Sequence, residues 1–239
     1  MIKYSTPSPP PVAILAGGLA TRLRPITTYI PKVLVEVAGE PFIRHQLRFL
    51  AQQGIHDVVL CTGYLGEMVE REVGTECCGC RVRYSCDGDK ALGTGGALRK
   101  ALPLLGENFY VMYGDSFLDI QFAPVFEAFR RAKAPALMTV FHNRGRWDVS
   151  NVEYAAGRIL RYDKATHNPA MTYIDYGLGV VTGEVILRLP PGIAIDLGEL
   201  YRDLAVEGRL AGFEVHTRFY DIGSPAGLRE TEVYLRGRS

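Results

Sequence analysis

Two glycines, Gly17-Gly18, follow the apolar stretch Val12–Ala16 directly, and cations come close behind: Arg22, Arg24 and, after Pro31, Lys32. Glycine lets backbone N–H groups approach a phosphate or a base closely. Arginine can engage two phosphate oxygens at once. Glycines and cations in one segment are therefore suited to holding a polyphosphate. The segment lacks the Gly-Lys-Ser/Thr of a Walker A loop and the G-x-G-x-x-G spacing of a dinucleotide fingerprint. A second glycine cluster, Leu92-Gly93-Thr94-Gly95-Gly96-Ala97-Leu98, leads into a helical pattern. By itself it fits a nucleotide contact or a helix start capped by Thr94 equally well. Two aspartates stand at the ends of apolar stretches: Asp115 after Tyr113-Gly114, and Asp221 in Phe219-Tyr220-Asp221-Ile222-Gly223-Ser224-Pro225. Singly, each reads as a turn or cap residue. As a pair they are suited to a magnesium ion, which favours one or two carboxylates with phosphates and water. Asp119 reads as a loop aspartate.

The elements that must position these residues follow from apolar periodicity. Val12–Ala16, Asp57–Cys61, Phe109–Tyr113 and Ala136–Phe141 are short, largely apolar runs and read as strands, as does Arg81–Ser85. Between them, Phe42–Leu50, Gly66–Val73, Thr94–Leu102 and Pro124–Lys133 carry helical spacing, the third expected to close before Pro103. His45, in the first of these, reads as a packed or surface helix residue. Strands alternating with helices predict an α/β fold: a Rossmann-like three-layer αβα domain with a mostly parallel mixed sheet. After Phe141 the rhythm changes. Asn151–Tyr154 and Arg158–Tyr162 flank Ala156-Gly157 as a hairpin, and Tyr173–Val181 is a further strand. These predict a small antiparallel lobe beside the main sheet. A helix over Gly198–Glu207, a strand over Phe213–Thr217 and a closing helix over Pro225–Leu235 complete the pattern. Residues 1–11, rich in Pro and Ser, are expected to be a flexible tail, and 12–239 a single domain.

With 239 residues, 47% hydrophobic and 22% charged, the chain has the composition of an ordinary globular protein. A formal net charge of +1 gives no whole-surface attraction to nucleic acid or membrane, so an anionic substrate must be held locally. No apolar run is long enough to span a bilayer, and the N-terminus lacks a signal peptide's apolar core. The expected compartment is the cytoplasm. Four of the five cysteines crowd together as Cys77, Cys78, Cys80 and Cys86. With no second Cys/His pair at finger spacing, they are expected to be free thiols at a turn before a strand rather than zinc ligands.

The run from Gly17 to Thr27, followed by Pro31-Lys32, resembles the signature of the sugar-1-phosphate nucleotidyltransferases, G-G-x-G-T-R-L-x-P-x-T then P-K. Here Ala20 stands in place of the third glycine. The resemblance covers nearly the whole chain after Pro11. It implies that Leu15, Ala16, Gly17 and Gly18 cradle the nucleotide, that Arg22 grips its β- and γ-phosphates, and that Lys32 neutralises the reacting phosphoryl groups. Leu92, Gly93, Thr94 and Gly95 resemble the family's base and ribose contacts, in the form found in mannose and heptose 1-phosphate guanylyltransferases, which tilts the base towards guanine. Asp115 and Asp221 match the family's Mg²⁺ ligands.

On the sugar side, Gly157–Lys164 resembles G-x-[IV]-x-x-F-x-E-K. Lys164 matches the lysine that holds the sugar phosphate, and Asp163 stands where glutamate contacts sugar hydroxyls. Asn151 occupies a usual glycine position, and Asp175 replaces the asparagine of [IV]-N-[AS]-G. Trp147 either walls the sugar pocket or anchors the lobe.

The implied reaction is an in-line displacement: a sugar 1-phosphate oxygen attacks the α-phosphorus of a nucleoside triphosphate and pyrophosphate leaves. A hexose or heptose 1-phosphate guanylyltransferase is the reading that fits best. A uridylyl-, thymidylyl- or cytidylyltransferase acting on N-acetylmuramate 1-phosphate or phosphocholine is the enzymatic alternative, and a noncatalytic nucleotide-sugar-binding module the other. A homo-oligomer is compatible with the family. Without a hexapeptide-repeat tail, no acetyltransferase activity is expected.

Overall fold

The computed structural model describes residues 8–18, 21–23, 25–147, 149–166 and 168–238. Ala20 and Arg24 lie outside the described residues, as does most of the proposed N-terminal tail. The first half of the chain runs β1 (Val12–Leu15), β2 (Glu36–Val37), β3 (Glu40–Pro41), α1 (Phe42–Gln52), β4 (Asp57–Thr62), α2 (Gly66–Val73), β5 (Glu76–Cys77), β6 (Cys80–Cys86) and α3 (Gly93–Leu105). It continues through β7 (Asn108–Tyr113), β8 (Ser116–Phe117), α4 (Phe122–Ala132) and β9 (Ala136–His142). The second half adds β10 (Val152–Ala155), β11 (Arg158–Tyr162), β12 (Tyr173–Thr182), α5 (Gly183–Ile186), α6 (Leu197–Val206), β13 (Leu210–Val215), β14 (Tyr220–Asp221) and α7 (Pro225–Arg236). Single 3₁₀ turns occupy Thr21–Leu23, Ile26–Thr28 and Lys32–Leu34.

Ten strands form one sheet in the order β10-β11-β13-β9-β12-β7-β1-β4-β6-β5. The centre, β7-β1-β4-β6, is parallel, with Val12 opposite both Val58 and Tyr110. β12 runs antiparallel between β7 and β9, and β9 is parallel to β13. Side-chain alternation assigns the two faces. Val12, Ile14, Val58, Leu60, Tyr110 and Met112 pack with Ile43, Leu47 and Leu50 of α1 and Val125 and Phe129 of α4. Ala13, Val59, Cys61, Phe109 and Val111 point the other way, onto Leu98, Ala101 and Leu105 of α3 and Leu200 and Leu204 of α6. Helices therefore cover both faces, giving the three layers expected.

The structure departs from the expectations in three places. α3 runs through Pro103 to Leu105. Proline removes one helical hydrogen bond, but Pro103 is exposed, so water can take the freed carbonyl. The hairpin β10–β11 turns on Ala156 and Gly157, both at positive φ. It is not a separate lobe, because Val152 pairs with Tyr173 of β12 and Arg158 with Ala211 of β13, making it the edge of the main sheet. β13 begins at Leu210, earlier than the apolar pattern around Phe213 suggests.

The thiols divide between environments. Cys77 and Cys80 are buried on paired strands, the Cys77 and Cys78 sulfurs lie 3.6 Å apart, and Cys86 is exposed at the far end of β6. All five are free, and burial pushes the Cys77 and Cys80 thiols up to about 11. Among the described residues, no helix is long and apolar enough to cross a membrane.

Beneath α4, the fully buried Tyr110 hydroxyl donates to the Phe122 carbonyl at 2.9 Å. Tyr110→Phe removes this bond while the helical bond to the carbonyl remains, and we expect a loss of about 0.5–1.5 kcal/mol. For a domain of this size, that lowers Tm by a few degrees, read by thermal denaturation.

Candidate active site

The parallel strands β1, β4, β6 and β7 all end at one edge of the sheet, and the loops beyond them enclose a cavity of about 260 Å³. Ligands of open α/β sheets gather at this edge. Leu15, Ala16, Gly17 and Gly18 line it, together with Gly93 and Thr94 and with Lys32, Tyr113, Gly114 and Asp115. The two glycine segments, far apart in the chain, thus share one cavity.

Close backbone approach explains the glycines of the first loop. A Cβ on Gly17 would lie 3.2 Å from the Gly63 nitrogen, and one on Gly63 only 2.9 Å from the Gly17 oxygen. The loop leaving β1 and the loop leaving β4 therefore pack backbone to backbone. The second cluster is glycine-rich for a different reason. Gly93 has φ +68°, and its Cβ would sit 2.5 Å from the Ile195 oxygen. The N–H groups of Gly95 and Gly96 both donate to that oxygen, at 2.9 and 3.3 Å. Thr94 does not cap α3. Its hydroxyl accepts the Leu197 N–H at 2.7 Å and donates to Asp196 at 3.3 Å, tying α3 to the start of α6. Gly93 and Thr94 face the cavity, whereas Leu92 is buried and Gly95 packs against Leu189 and Ile195.

Asp115 is set by the crossing of two strand ends. The Gly114 N–H donates to the Leu15 oxygen at 2.9 Å, and a Cβ on Gly114 would lie 2.8 Å from Val33. The chain then turns, and Asp115 Oδ2 accepts from Lys32 Nζ at 2.8 Å, both side chains being partly exposed. β8 pairs antiparallel with β14, placing Ser116 opposite Asp221, and the Ile222 N–H donates to the Asp115 carbonyl at 2.9 Å. Asp221 Oδ1 accepts from the Gly223 N–H at 2.7 Å. A buried patch of Val35, Val37, Phe42, Phe117, Ile222 and Leu235 anchors this tail segment. Ser224 caps α7 by accepting from the Gly227 N–H at 3.0 Å, as its Ser-Pro start suggests.

One point gathers the charged groups. The position of a Cβ on Gly223 lies 2.9 Å from Asp221 Oδ1, 3.1 Å from Arg22 Nη2 and 3.7 Å from Asp115 Oδ2. Two carboxylates and one guanidinium therefore face one small volume, and Lys32 joins them through its bond to Asp115. Two hard oxygen donors with open surroundings suit a divalent cation that completes its shell from phosphate and water. No group of three or more His, Cys, Asp or Glu able to hold a metal occurs among the described residues.

The sugar-side residues are placed less uniformly. Lys164 is exposed, with Nζ 3.9 Å from Asp196 Oδ1 and about equally far above the rings of Tyr113 (5.7 Å) and Tyr162 (5.8 Å). Asp163 folds back on its own turn, Oδ1 accepting from the Ala165 and Thr166 N–H groups, and these bonds lower its pKa. Asn151 Oδ1 accepts from the Asp175 N–H at 3.0 Å. Asp175 itself accepts from the Gly177 N–H at 3.0 Å and from the Tyr162 hydroxyl at 3.3 Å. Trp147 stacks on the Arg218 guanidinium at 3.8 Å, which anchors its loop to the chain before β14. His45 is a packed residue, with Nε2 2.8 Å from the Val37 oxygen.

Burial raises the Asp175 carboxyl above its usual value, and the nearby Lys164 charge only partly offsets this. In the pH window between the ordinary carboxyl value and the raised one, the folded state holds more protons than the unfolded state. Stability attributable to Asp175 therefore falls as pH rises through that window. Asp175→Asn, which keeps an acceptor for Gly177, should remove this loss and raise Tm above the window more than below it. Thermal melts over a pH series provide the check, and an equal shift at every pH would contradict the assignment.

Asp87, Tyr113 and Asp196 were not singled out by their sequence context. Asp87 stands just beyond β6, whose Arg81 and Arg83 make it a mixed rather than an apolar strand, and it lies outside the motif segments. Tyr113 lines the cavity, and its buried hydroxyl has no hydrogen-bond partner among the described residues.

An α/β sheet with a glycine-lined cavity and two carboxylates at its strand ends has the chemistry suited to a nucleotide. The sequence model of the Nucleotidyl transferase family matches residues 12–148, and the chain belongs to that family. It is 30% identical over 218 residues to mannose-1-phosphate guanyltransferase beta-B of Xenopus laevis, an alignment covering 89% of this chain and 61% of that protein. It is 30% identical over 233 residues to N-acetylmuramate alpha-1-phosphate uridylyltransferase of Caulobacter vibrioides, covering 93% and 95% of the two chains. Among solved structures, a putative glucose-1-phosphate thymidylyltransferase from Bacillus anthracis superposes with a TM-score of 0.80 at 24% identity, covering 94% of both chains.

Proposed function

We propose that the protein transfers a nucleoside monophosphate from a nucleoside triphosphate to a sugar 1-phosphate and releases pyrophosphate, with GTP as donor and a hexose or heptose 1-phosphate as acceptor. The observation that carries this reading is the convergence of Arg22, Lys32, Asp115 and Asp221 beside the glycine cavity. The similarity to a mannose-1-phosphate guanyltransferase over 89% of the chain supports guanine.

The nucleotide lies in the cavity with its phosphates towards Gly17 and Gly18, and Arg22 and Lys32 take the phosphate charge. Lys164 holds the sugar phosphate above Tyr113. A phosphate monoester is already nucleophilic, so its oxygen attacks the α-phosphorus without a general base. The P–O bond to pyrophosphate breaks on the opposite side, and the leaving charge is held by the same cations. Rate enhancement comes from alignment and from fixed positive charge where negative charge develops. Asp115 and Asp221 are the residues that hold Mg²⁺, which supplies further charge neutralisation and phosphate alignment when bound.

A second reading is supported by the Caulobacter relative: a uridylyltransferase acting on N-acetylmuramate 1-phosphate. The test is pyrophosphate release with Mg²⁺, each nucleoside triphosphate being scanned against a panel of sugar 1-phosphates that includes N-acetylmuramate 1-phosphate. Turnover with GTP and a hexose or heptose 1-phosphate is expected. Turnover only with UTP and the muramate substrate would replace the first reading with the second. No turnover with any pair would refute both.

A further inference from the structure

The turn that carries Asp115 is held from inside the protein by a buried amide. Gln46 lies on α1 and is 1% exposed. Its Nε2 donates to two backbone carbonyls, Tyr113 at 3.1 Å and Ser116 at 2.8 Å, which flank Gly114-Asp115. A carbonyl oxygen accepts and never donates, so this pair fixes which way the amide faces. Oε1 is left shut off from water, with no hydrogen-bond partner among the described residues. A buried polar atom without a partner costs stability. The amide is thus a poor filler of its space but an effective clamp, one NH₂ group setting the spacing of two carbonyls across the turn.

The helix that carries Gln46 is firmly seated. Phe42 packs in the patch with Phe117 and Ile222, while Ile43 and Leu47 join the core under the central strands. α1 therefore bridges the main sheet and the segment around Asp221. Both carboxylate oxygens of Asp115 depend on the clamped turn. Oδ1 accepts from the Ser116 hydroxyl at 3.3 Å, and Oδ2 accepts from Lys32. We propose that Gln46 is a positioning residue, acting through the backbone on either side of Asp115 to aim its carboxylate at Asp221 and Arg22. This rests on the reading of Asp115 as a residue that holds Mg²⁺. Removing a group that orients a metal-holding side chain commonly costs about 10–100-fold in metal affinity or activity.

Gln46→Met keeps the length of the side chain and removes both donors. Gln46→His keeps an N–H. Each is compared with the wild type, well below its Tm, in two measurements. One is kcat for pyrophosphate release with the substrate pair that the wild type turns over. The other is Mn²⁺ affinity, read by electron paramagnetic resonance with the same nucleoside triphosphate and no acceptor, so that no turnover is involved. Gln46→Met is expected to lower kcat by about 10–100-fold and to weaken Mn²⁺ binding by about tenfold, with Gln46→His between it and the wild type. In an Asp115→Asn background the same substitution should change kcat by less than about threefold, because the carboxylate that it positions is gone. A lower Tm with unchanged kcat and Mn²⁺ affinity would make Gln46 a packing residue and overturn the proposal. An equal loss in both backgrounds would overturn it too. If Gln46→Met does not fold, Gln46→His is judged by the same criteria. Should Asp115→Asn alone leave Mn²⁺ affinity unchanged, the reading of Asp115 fails and the proposal with it. An impaired Asp115→Asn beside an unimpaired Gln46→Met refutes the role of Gln46 alone.

Discussion

Asp115→Asn is expected to lower kcat by about 10²–10³-fold, the usual scale for removing one preorganised charge from a polar active site. The substitution changes few contacts. An asparagine oxygen can still accept from Lys32 Nζ, which now lies 2.8 Å from Oδ2. The backbone bond from the Ile222 N–H to the residue 115 carbonyl does not involve the side chain. What disappears is one unit of negative charge facing Asp221 and Arg22. A cation held by Asp115 and Asp221, as proposed, would lose half of its protein counter-charge, and the Lys32 ammonium loses its counter-charge while keeping a hydrogen-bond acceptor. The loss should therefore be partly recovered at high Mg²⁺ concentration, whereas the Tm should change little because the pair is partly exposed. Pyrophosphate release across a magnesium series measures this. Activity within tenfold of the wild type at low magnesium would remove Asp115 from the reacting centre.

Gly93→Ala is the substitution expected to cost most in stability. Its φ of +68° is the left-handed region, where a side chain costs roughly 1 kcal/mol. The new Cβ would also meet the Ile195 oxygen at 2.5 Å, and that oxygen is backbone, bonded to the Gly95 and Gly96 N–H groups. The segment at Ile195 must shift, adding about 1–3 kcal/mol of overpacking. The expected total of about 2–4 kcal/mol lowers Tm by roughly 4–16 °C for a domain of this size. Gly192→Ala is the matched control. Its φ is +73° but nothing lies within 4 Å of its Cβ, so it carries the backbone term alone. Equal Tm losses in the two variants would show that the Ile195 contact is soft. The same shift would move Thr94 and its bond to Leu197, so Gly93→Ala should also raise the KM for the nucleotide more than that for the sugar phosphate.

The parts of this site that were legible from the sequence are those fixed by strand geometry. Apolar runs ending in Gly17-Gly18 and Gly114-Asp115 mark strands whose carboxyl ends meet at one edge, and that is where Lys32 and Asp115 come together. Asp221 was legible because its Ser-Pro helix start follows directly. The role of Thr94 was not, since its partner Leu197 is a hundred residues away and nothing local announces the contact. The same holds for the hairpin, whose local pattern predicts the turn at Ala156-Gly157 but not that β10 and β11 extend the main sheet. Asp87 escaped because a carboxylate after a strand is common and nothing local places it in the cavity wall.

The antiparallel pairing of β8 with β14 has a consequence for the order in which the protein is made. The strands β1, β4 and β6, with both glycine segments, belong to the first hundred residues and can associate through comparatively local contacts. The segment holding Asp221 is joined to Asp115 only by pairing across a hundred intervening residues, the kind of contact that forms slowly because so much chain must be closed into a loop. During synthesis the cavity walls can take shape well before the second carboxylate emerges. The growing chain therefore acquires its paired carboxylates last, after the sheet that they serve.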